Sequence, residues 1–150
     1  QIYKFNSKRK KFERFMKKHG PYKRLSSGPP GTLWAVNDKS KVFELVAGRM
    51  ERRPRKGKFK GQDVDISVDG TVYATSITHE TVQNEPGNGQ LANPSHKRKC
   101  HLMKYDSLTG KFELVGKKSN NYAQYVAVSA DGTPWTTCAP GGTSHVYRGD

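Results

Sequence analysis

Apolar and polar residues alternate along much of this chain, which is the pattern of β-strands with one buried face. The clearest segment is 63–75, where Val64 and Ile66 alternate with aspartates before an Asp69-Gly70 pair. β-Branched and aromatic residues follow that pair and continue the alternation to residue 75. An Asp-Gly pair between two alternating runs is a strong signal for a β-hairpin. The segment therefore predicts two antiparallel strands joined by a tight turn.

The same sequence pattern is repeated near the end of the chain, in residues 125–137. Both copies read apolar–x–apolar–Ser–x–Asp–Gly–Thr–x–aromatic–x–Thr, apart from small changes. A looser third copy spans residues 22–36, where Gly-Pro-Pro-Gly at 28–31 replaces the Asp-Gly pair. Recurrence of one structural unit indicates a repeat protein, and this decides the fold class before any single element does.

A second hairpin type is also repeated. Residues 2–13 match residues 102–113 position for position, with Phe5 aligned to Tyr105 and Phe12 to Phe112. A further strand follows each tryptophan-bearing segment, at 42–46 and at 145–148, and we match these two by their place in the unit.

Together these segments predict an all-β chain made of antiparallel four-stranded blades of a β-propeller. The blade fragments are expected at about 1–15, 22–61, 63–115 and 122–150, with residues 77–99 as an insertion loop. Propellers typically close with four or more blades. Because two of the four fragments are incomplete, we expect part of a larger propeller, or a chain whose missing strands come from a neighbour.

The repeated Ser-x-Asp-Gly-Thr text, followed by an aromatic residue, resembles tectonin-type β-propeller repeats. The resemblance covers about two-thirds of the chain and implies a propeller, with glycan or lipopolysaccharide binding as a function of the family. The copy at 28–31 lacks the Asp-Gly turn, and the insertion makes one blade unusually long.

Catalytic and metal-binding patterns are weak. Asp63, Asp65 and Asp69 lack the bidentate Glu of a calcium loop and are assigned to turn and strand structure. His96, Cys100 and His101 lack the further ligands of a tetrahedral zinc site. Gly-rich phosphate-binding text that opens a helix is absent from the sequence. We predict no enzyme activity, no metal and no cofactor, although catalytic residues in further blades stay an alternative.

The net charge says more about the function than these catalytic and metal-binding patterns do. The chain has 27 Lys and Arg against 13 Asp and Glu, a net charge of +14, which favours a polyanionic partner. The alternative is a soluble, strongly basic surface that has no single partner. Three basic runs are the predicted partner-binding residues: Lys8, Arg9, Lys10, Lys11; Arg52, Arg53, Arg55, Lys56, Lys58; and Lys97, Arg98, Lys99. The first two runs are expected on one face of the propeller and the third on the other.

Trp34, Tyr73 and Trp135 occupy one phase of the repeat and are expected to pack between blades rather than to stack on bases. The prediction is therefore a non-catalytic scaffold that docks through basic loops onto an acidic protein surface, such as a microtubule, or onto RNA, within a larger assembly. The alternative is a tectonin-like lectin. Two cysteines are too few for a disulfide framework, so we expect an intracellular, cytoplasmic or cytoskeletal location. No apolar run approaches the length of a membrane span, so we expect no span.

Overall fold

The computed structural model describes residues 2–16, 20–54, 59–82, 95–115, 123–138 and 145–148. Every regular element in these ranges is a β-strand. The described residues contain no helix that is long and apolar enough to cross a membrane.

Thirteen strands are present in the described ranges, and they form four antiparallel sheets in chain order. The first sheet contains β1 (Ile2–Asn6) and β2 (Lys11–Met16); the second contains β3 (Tyr22–Ser27), β4 (Leu33–Asn37), β5 (Val42–Val46) and β6 (Arg49–Arg53). The third contains β7 (Gly61–Ile66), β8 (Val72–Val82), β9 (Ser95–Asp106) and β10 (Lys111–Leu114); the fourth contains β11 (Ala123–Val128), β12 (Pro134–Cys138) and β13 (His145–Arg148). Each sheet is a meander, because hydrogen-bonded neighbours are consecutive in the chain.

The prediction of an all-β chain with antiparallel four-stranded sheets is confirmed, since two of the four sheets in the described ranges have four strands and the others have two and three. β5 and β13 are both the third strand of their sheets, which confirms that they are equivalent by their place in the unit. Closure of the sheets into a propeller stays a prediction.

The two Asp-Gly turns are built alike. Asp69 accepts hydrogen bonds from the Ser67 hydroxyl and from the Thr71 N–H, at 2.8 Å for the N–H. Gly70 has φ +87°, a left-handed conformation that glycine adopts without strain. The second turn repeats these contacts, with Asp131 accepting from Ser129 at 2.5 Å and from the N–H of Thr133 at 2.9 Å. The recurring text thus specifies the same turn twice.

The Gly-Pro-Pro-Gly copy reaches a similar turn by other means. Gly31 occupies the place of Gly70 in the repeat and has φ +87°. The Thr32 hydroxyl and N–H both donate to the Pro29 carbonyl oxygen, at 2.6 and 3.0 Å. The prolines therefore replace the aspartate side chain as the feature that fixes the turn.

Two apolar clusters lie between successive sheets. Ile2 of the first sheet packs with the buried Ala35, Phe43 and Met50 of the second. The opposite face of the second sheet meets the third sheet in a larger cluster, which packs Trp34, Val36 and Val42 against Val64, Ile66, Val72 and Ala74. Burial of these side chains is the main attraction between the sheets.

An aromatic group closes the edge of the larger cluster. Trp34, with 2% of its surface exposed, lies edge-on to Tyr105 with ring centroids 4.8 Å apart. Phe112 lies 6.2 Å from Trp34 and stacks on Phe59 at 4.3 Å. Trp34 therefore packs between sheets as predicted, whereas Tyr73 is half-buried and Trp135 is 39% exposed.

The expected insertion loop is shorter than the sequence indicated. β8 continues to Val82 and β9 begins at Ser95, and the two stay paired throughout, as in His79 opposite Arg98. Polar residues make up most of these two strand extensions, which is why hydrophobic periodicity gave no signal there. Residues 83–94 lie outside the described ranges.

Candidate functional site

The turn between β1 and β2 carries the first basic run, residues 8–11, which we call the basic turn. Asn6 shapes it, because its Oδ1 accepts hydrogen bonds from the N–H groups of Lys8 and Arg9, both at 3.1 Å. Asn6 Nδ2 donates to Glu13 across the hairpin at 3.0 Å. Lys10 has φ +50°, so the chain turns there through a left-handed conformation. One asparagine thereby fixes the backbone that presents four cations.

All four side chains of the basic turn are exposed. Arg9 Nη1 lies 3.2 Å from Glu13 Oε1, an ion pair open to water. Such a pair contributes little to stability, and a polyanion could displace it. Lys8, Lys10 and Lys11 add three ammonium groups on the same hairpin end, so the local field is positive.

Arg53 departs from the predicted role in partner binding. It is 8% exposed, and its Nε lies 2.8 Å from Glu44 Oε2 while its Nη1 lies 3.1 Å from Glu51 Oε2. Burial lowers the pKa of Arg53, but its hydrogen bonds to Glu51 and Glu44 outweigh that effect and raise the pKa above its ordinary value. This guanidinium holds β5 and β6 together and is not available at the surface.

The structure describes only some of the other residues that were predicted to bind a partner. Arg52 lies in β6, half-buried and opposite Phe43. Residues 97–99 lie in β9, where they pair with residues 78–80 of β8, and their side chains lie outside the described part of the structure. Arg55, Lys56 and Lys58 also lie outside the described residues. Among the residues that the structure describes, the basic turn alone is brought together as a run, and the distribution of the three runs over two faces stays a prediction.

The first strands of three sheets share a polar network that the sequence did not reveal. Asp63 and Asp65 on β7 accept hydrogen bonds from the N–H groups of Val126 and Val128 on β11, at 3.1 and 2.7 Å. Ser26 on β3 donates its hydroxyl to Asp65 at 2.6 Å. Three first strands from three sheets are thus joined by two carboxylates.

Arg24 and Tyr125 extend this network. Arg24 Nε lies 3.5 Å from Asp63 Oδ1, and its guanidinium lies 4.8 Å from the centroid of the Tyr125 ring. Burial raises the pKa of Asp63, while its hydrogen bonds and Arg24 act in the opposite direction. When the turns are aligned, Arg24, Asp63 and Tyr125 occupy one repeat position, and Ser26 and Asp65 occupy another. That alignment was the signal available in the sequence.

Two shallow openings occur at repeat-equivalent hairpins. One, of about 390 Å³, is lined by residues that include Lys4, Phe5 and Glu13. The other, of about 490 Å³, is lined by residues that include Lys104, Tyr105 and Glu113. Within the described residues, no group of three His, Cys, Asp or Glu side chains is placed to hold a metal ion. The side chains of His96 and Cys100 fall outside those residues.

Comparison with known proteins identifies no family for this chain. No family model matches the chain, and no curated protein matches it. Among solved structures, the chain is similar to the extracellular domain of a hybrid two-component system from B. thetaiotaomicron, with a TM-score of 0.41 and 13% sequence identity. The match covers 94% of this chain and 22% of that one, so the chain spans about a fifth of that structure's length.

Proposed function

We propose that this chain is a non-catalytic interaction module that docks through its basic turn onto an acidic partner within a larger assembly. The observation that supports this most is the exposure of Lys8, Lys10 and Lys11 at one hairpin end that Asn6 holds in shape. A turn whose backbone is already ordered loses less entropy when it binds. The partner would be an acidic protein polymer such as a microtubule, or an RNA.

The basic turn offers positive charge but no side chains that would recognise particular bases. Lysine ammonium groups are compact point charges that bind phosphates or carboxylates with little geometric demand. Binding should therefore depend strongly on salt and weakly on nucleotide sequence. Arg53 is left out of the surface because it is buried in its ion pairs, while the runs at 55–58 and 97–99 belong to the proposal on sequence alone.

The proposal includes an intracellular location, cytoplasmic or cytoskeletal, because two cysteines are too few to form a disulfide framework. It also includes a relation to tectonin-type repeats, which the recurring Asp-Gly turns favour.

A lectin function is the second candidate. The two repeat-equivalent openings each combine an aromatic ring with charged side chains, Phe5 with Lys4 and Tyr105 with Lys104. Rings beside hydrogen-bonding groups suit sugar recognition, so binding of a glycan at these openings would be largely independent of salt.

The test compares binding of the chain to poly(U) RNA and to microtubules over a salt series. The variant Lys8→Ala/Lys10→Ala/Lys11→Ala removes three cations from the basic turn. The matched control, Lys39→Ala/Lys60→Ala/Lys111→Ala, removes three exposed cations that are spread over other parts of the chain.

On RNA, the slope of log K against log salt should fall by up to about 2 in the turn variant, since each phosphate that a lysine neutralises adds about 0.7 to that slope. On microtubules, the turn variant should bind more weakly than the control at every salt concentration. Equal weakening in the two variants would mean that net charge alone drives binding, which contradicts the proposal. Salt-insensitive binding to a glycan array would favour the lectin.

A further inference from the structure

The first sheet exposes a pair of phenylalanines on the face turned away from the second sheet. Phe5 and Phe12 are cross-strand partners in β1 and β2, with ring centroids 5.2 Å apart. They are 51% and 71% exposed. Side chains alternate along a strand, so Ile2, which is buried against the second sheet, points to the opposite face from Phe5. Contiguous exposed apolar surface is a feature of protein–protein interaction sites, and these two rings are contiguous.

The third sheet contains the same pair in a covered state. Tyr105 and Phe112 are cross-strand partners in β9 and β10, and they align with Phe5 and Phe12 in the repeat. Trp34 of the preceding sheet covers them, 4.8 Å from Tyr105 and 6.2 Å from Phe112. The molecule therefore shows what fits this kind of face, namely a tryptophan three residues after the glycine of the repeated turn.

The fourth sheet carries such a tryptophan in an exposed state. Trp135 follows Gly132 as Trp34 follows Gly31, and it is 39% exposed. Val126 and Thr136, which share the opposite face of that sheet, are buried. The indole Nε1 donates to Ser129 Oγ at 3.2 Å, which holds the ring in place. Exposed Val146 lies on the same face, two residues from the partner of Trp135 on β13.

We propose that a second copy of this chain covers the Phe5–Phe12 face, with Trp135 of one copy packed against Phe5 and Phe12 of the next. The contact reproduces between copies the packing of Trp34 on Tyr105 and Phe112 within one copy. It is heterologous, because two different surfaces meet, and it can form a closed ring or an open chain of copies. Both halves of the contact are present in this chain, which is why a second copy is the occupant.

Salt separates this inference from the proposed function. Each copy carries a net charge of +14, so like-charge repulsion opposes self-association at low salt. Screening by added salt should strengthen the contact between copies, whereas it should weaken the binding of a polyanion to the basic turn. Failure of either one leaves the other intact.

The experiment is sedimentation velocity of the chain at concentrations up to about 100 μM, where weak interfaces are still populated. The variants are Phe5→Ser/Phe12→Ser and Trp135→Ala, each of which removes one half of the contact. The control, Val68→Ser/Leu108→Ser, removes exposed apolar side chains from the turns of the third sheet. Far-UV circular dichroism of each variant checks that the strands are retained.

The wild-type chain and the control should self-associate, more strongly as salt rises. Each variant alone should associate about thirtyfold more weakly or not at all, as expected when an aromatic hot spot is removed. A mixture of the two variants should form dimers, since the intact Trp135 of one meets the intact phenylalanines of the other. A monomeric wild-type chain, self-association that survives Trp135→Ala, or a mixture that stays monomeric would each overturn the inference.

Discussion

Asp63 and Asp65 act at the scale of single residues, where their carboxylates accept hydrogen bonds from the N–H groups of Val126 and Val128 at the edge of the fourth sheet. Edge strands expose unpaired N–H and C=O groups that invite wrong pairing. A carboxylate from the neighbouring sheet satisfies these donors without adding a strand. The two aspartates therefore connect sheets through polar contacts, beside the apolar clusters.

Replacement of Asp63 by alanine should lower the free energy of unfolding by about 1–3 kcal/mol, because the buried N–H of Val126 then lacks an acceptor. Asp63→Asn keeps an acceptor oxygen and should cost less. Urea denaturation measures both. Asp38→Ala, which removes an exposed carboxylate of the same charge, is the control. Equal destabilisation by Asp63→Ala and Asp38→Ala would contradict the role given to Asp63.

The turn aspartates give a pH dependence. Hydrogen bonds from Ser67 and Thr71 lower the pKa of Asp69 to about 2, and those from Ser129 and Thr133 lower the pKa of Asp131 to about 2. An unfolded aspartate has a pKa of about 3.9. Because the folded values are lower, the ionised groups stabilise the fold above about pH 4, and this contribution is lost as the pH falls towards 2.

The double variant Asp69→Asn/Asp131→Asn isolates this effect, since the other titrating groups, including Asp63 with its raised pKa, are common to both proteins. Urea midpoints of the variant and the wild type should differ at pH 5 and converge near pH 2. A difference that stays constant over that range would mean that the two carboxylates are not bonded as described.

At the scale of elements, the sequence predicted the hairpins well because their signals are local. The Asp-Gly pair with Ser and Thr around it specifies one turn, and the structure repeats that turn at Gly70 and Gly132. The aligned pairs Phe5–Phe12 and Tyr105–Phe112 each form cross-strand partners. Within a hairpin, residue type and spacing determine the contact directly.

Contacts between elements could not be predicted in the same way. Arg53 was assigned to a binding surface because it lies in a basic run, but Glu44 on the adjacent strand and Glu51 neutralise it. Which side chains face one another depends on strand register, and no pattern in residues 49–60 specifies it. The carboxylates of Asp63 and Asp65 likewise bond to a strand about sixty residues further along the chain.

Gly61 of the third sheet lies very close to Val42 of the second sheet. A Cβ added there would lie 2.4 Å from Cγ2 of Val42 in the second sheet. Gly61→Ala should therefore lower the free energy of unfolding by about 1–3 kcal/mol through overpacking. The double variant Gly61→Ala/Val42→Ala removes the clash, so its destabilisation should be smaller than the sum of the two single effects, as measured by urea denaturation. Additive effects would contradict the close approach.

At the scale of the whole molecule, one arrangement connects these features. Four sheets follow one another in chain order, and apolar clusters join the first sheet to the second and the second to the third. The apolar clusters, the carboxylates of Asp63 and Asp65 and the aromatic group around Trp34 all lie between successive sheets. The exposed Phe5–Phe12 and Trp135 faces are equivalent to the two halves of the buried contact around Trp34 only if that order is correct.

The most direct test of this order is a nuclear Overhauser spectrum of the chain, with Trp34→Phe used to assign the indole signals. We expect cross-peaks from the Trp34 indole protons to the ring protons of Tyr105 and Phe112, because Trp34 lies 4.8 Å from one ring and 6.2 Å from the other. Indole cross-peaks confined to residues of the second sheet would contradict the packing of successive sheets.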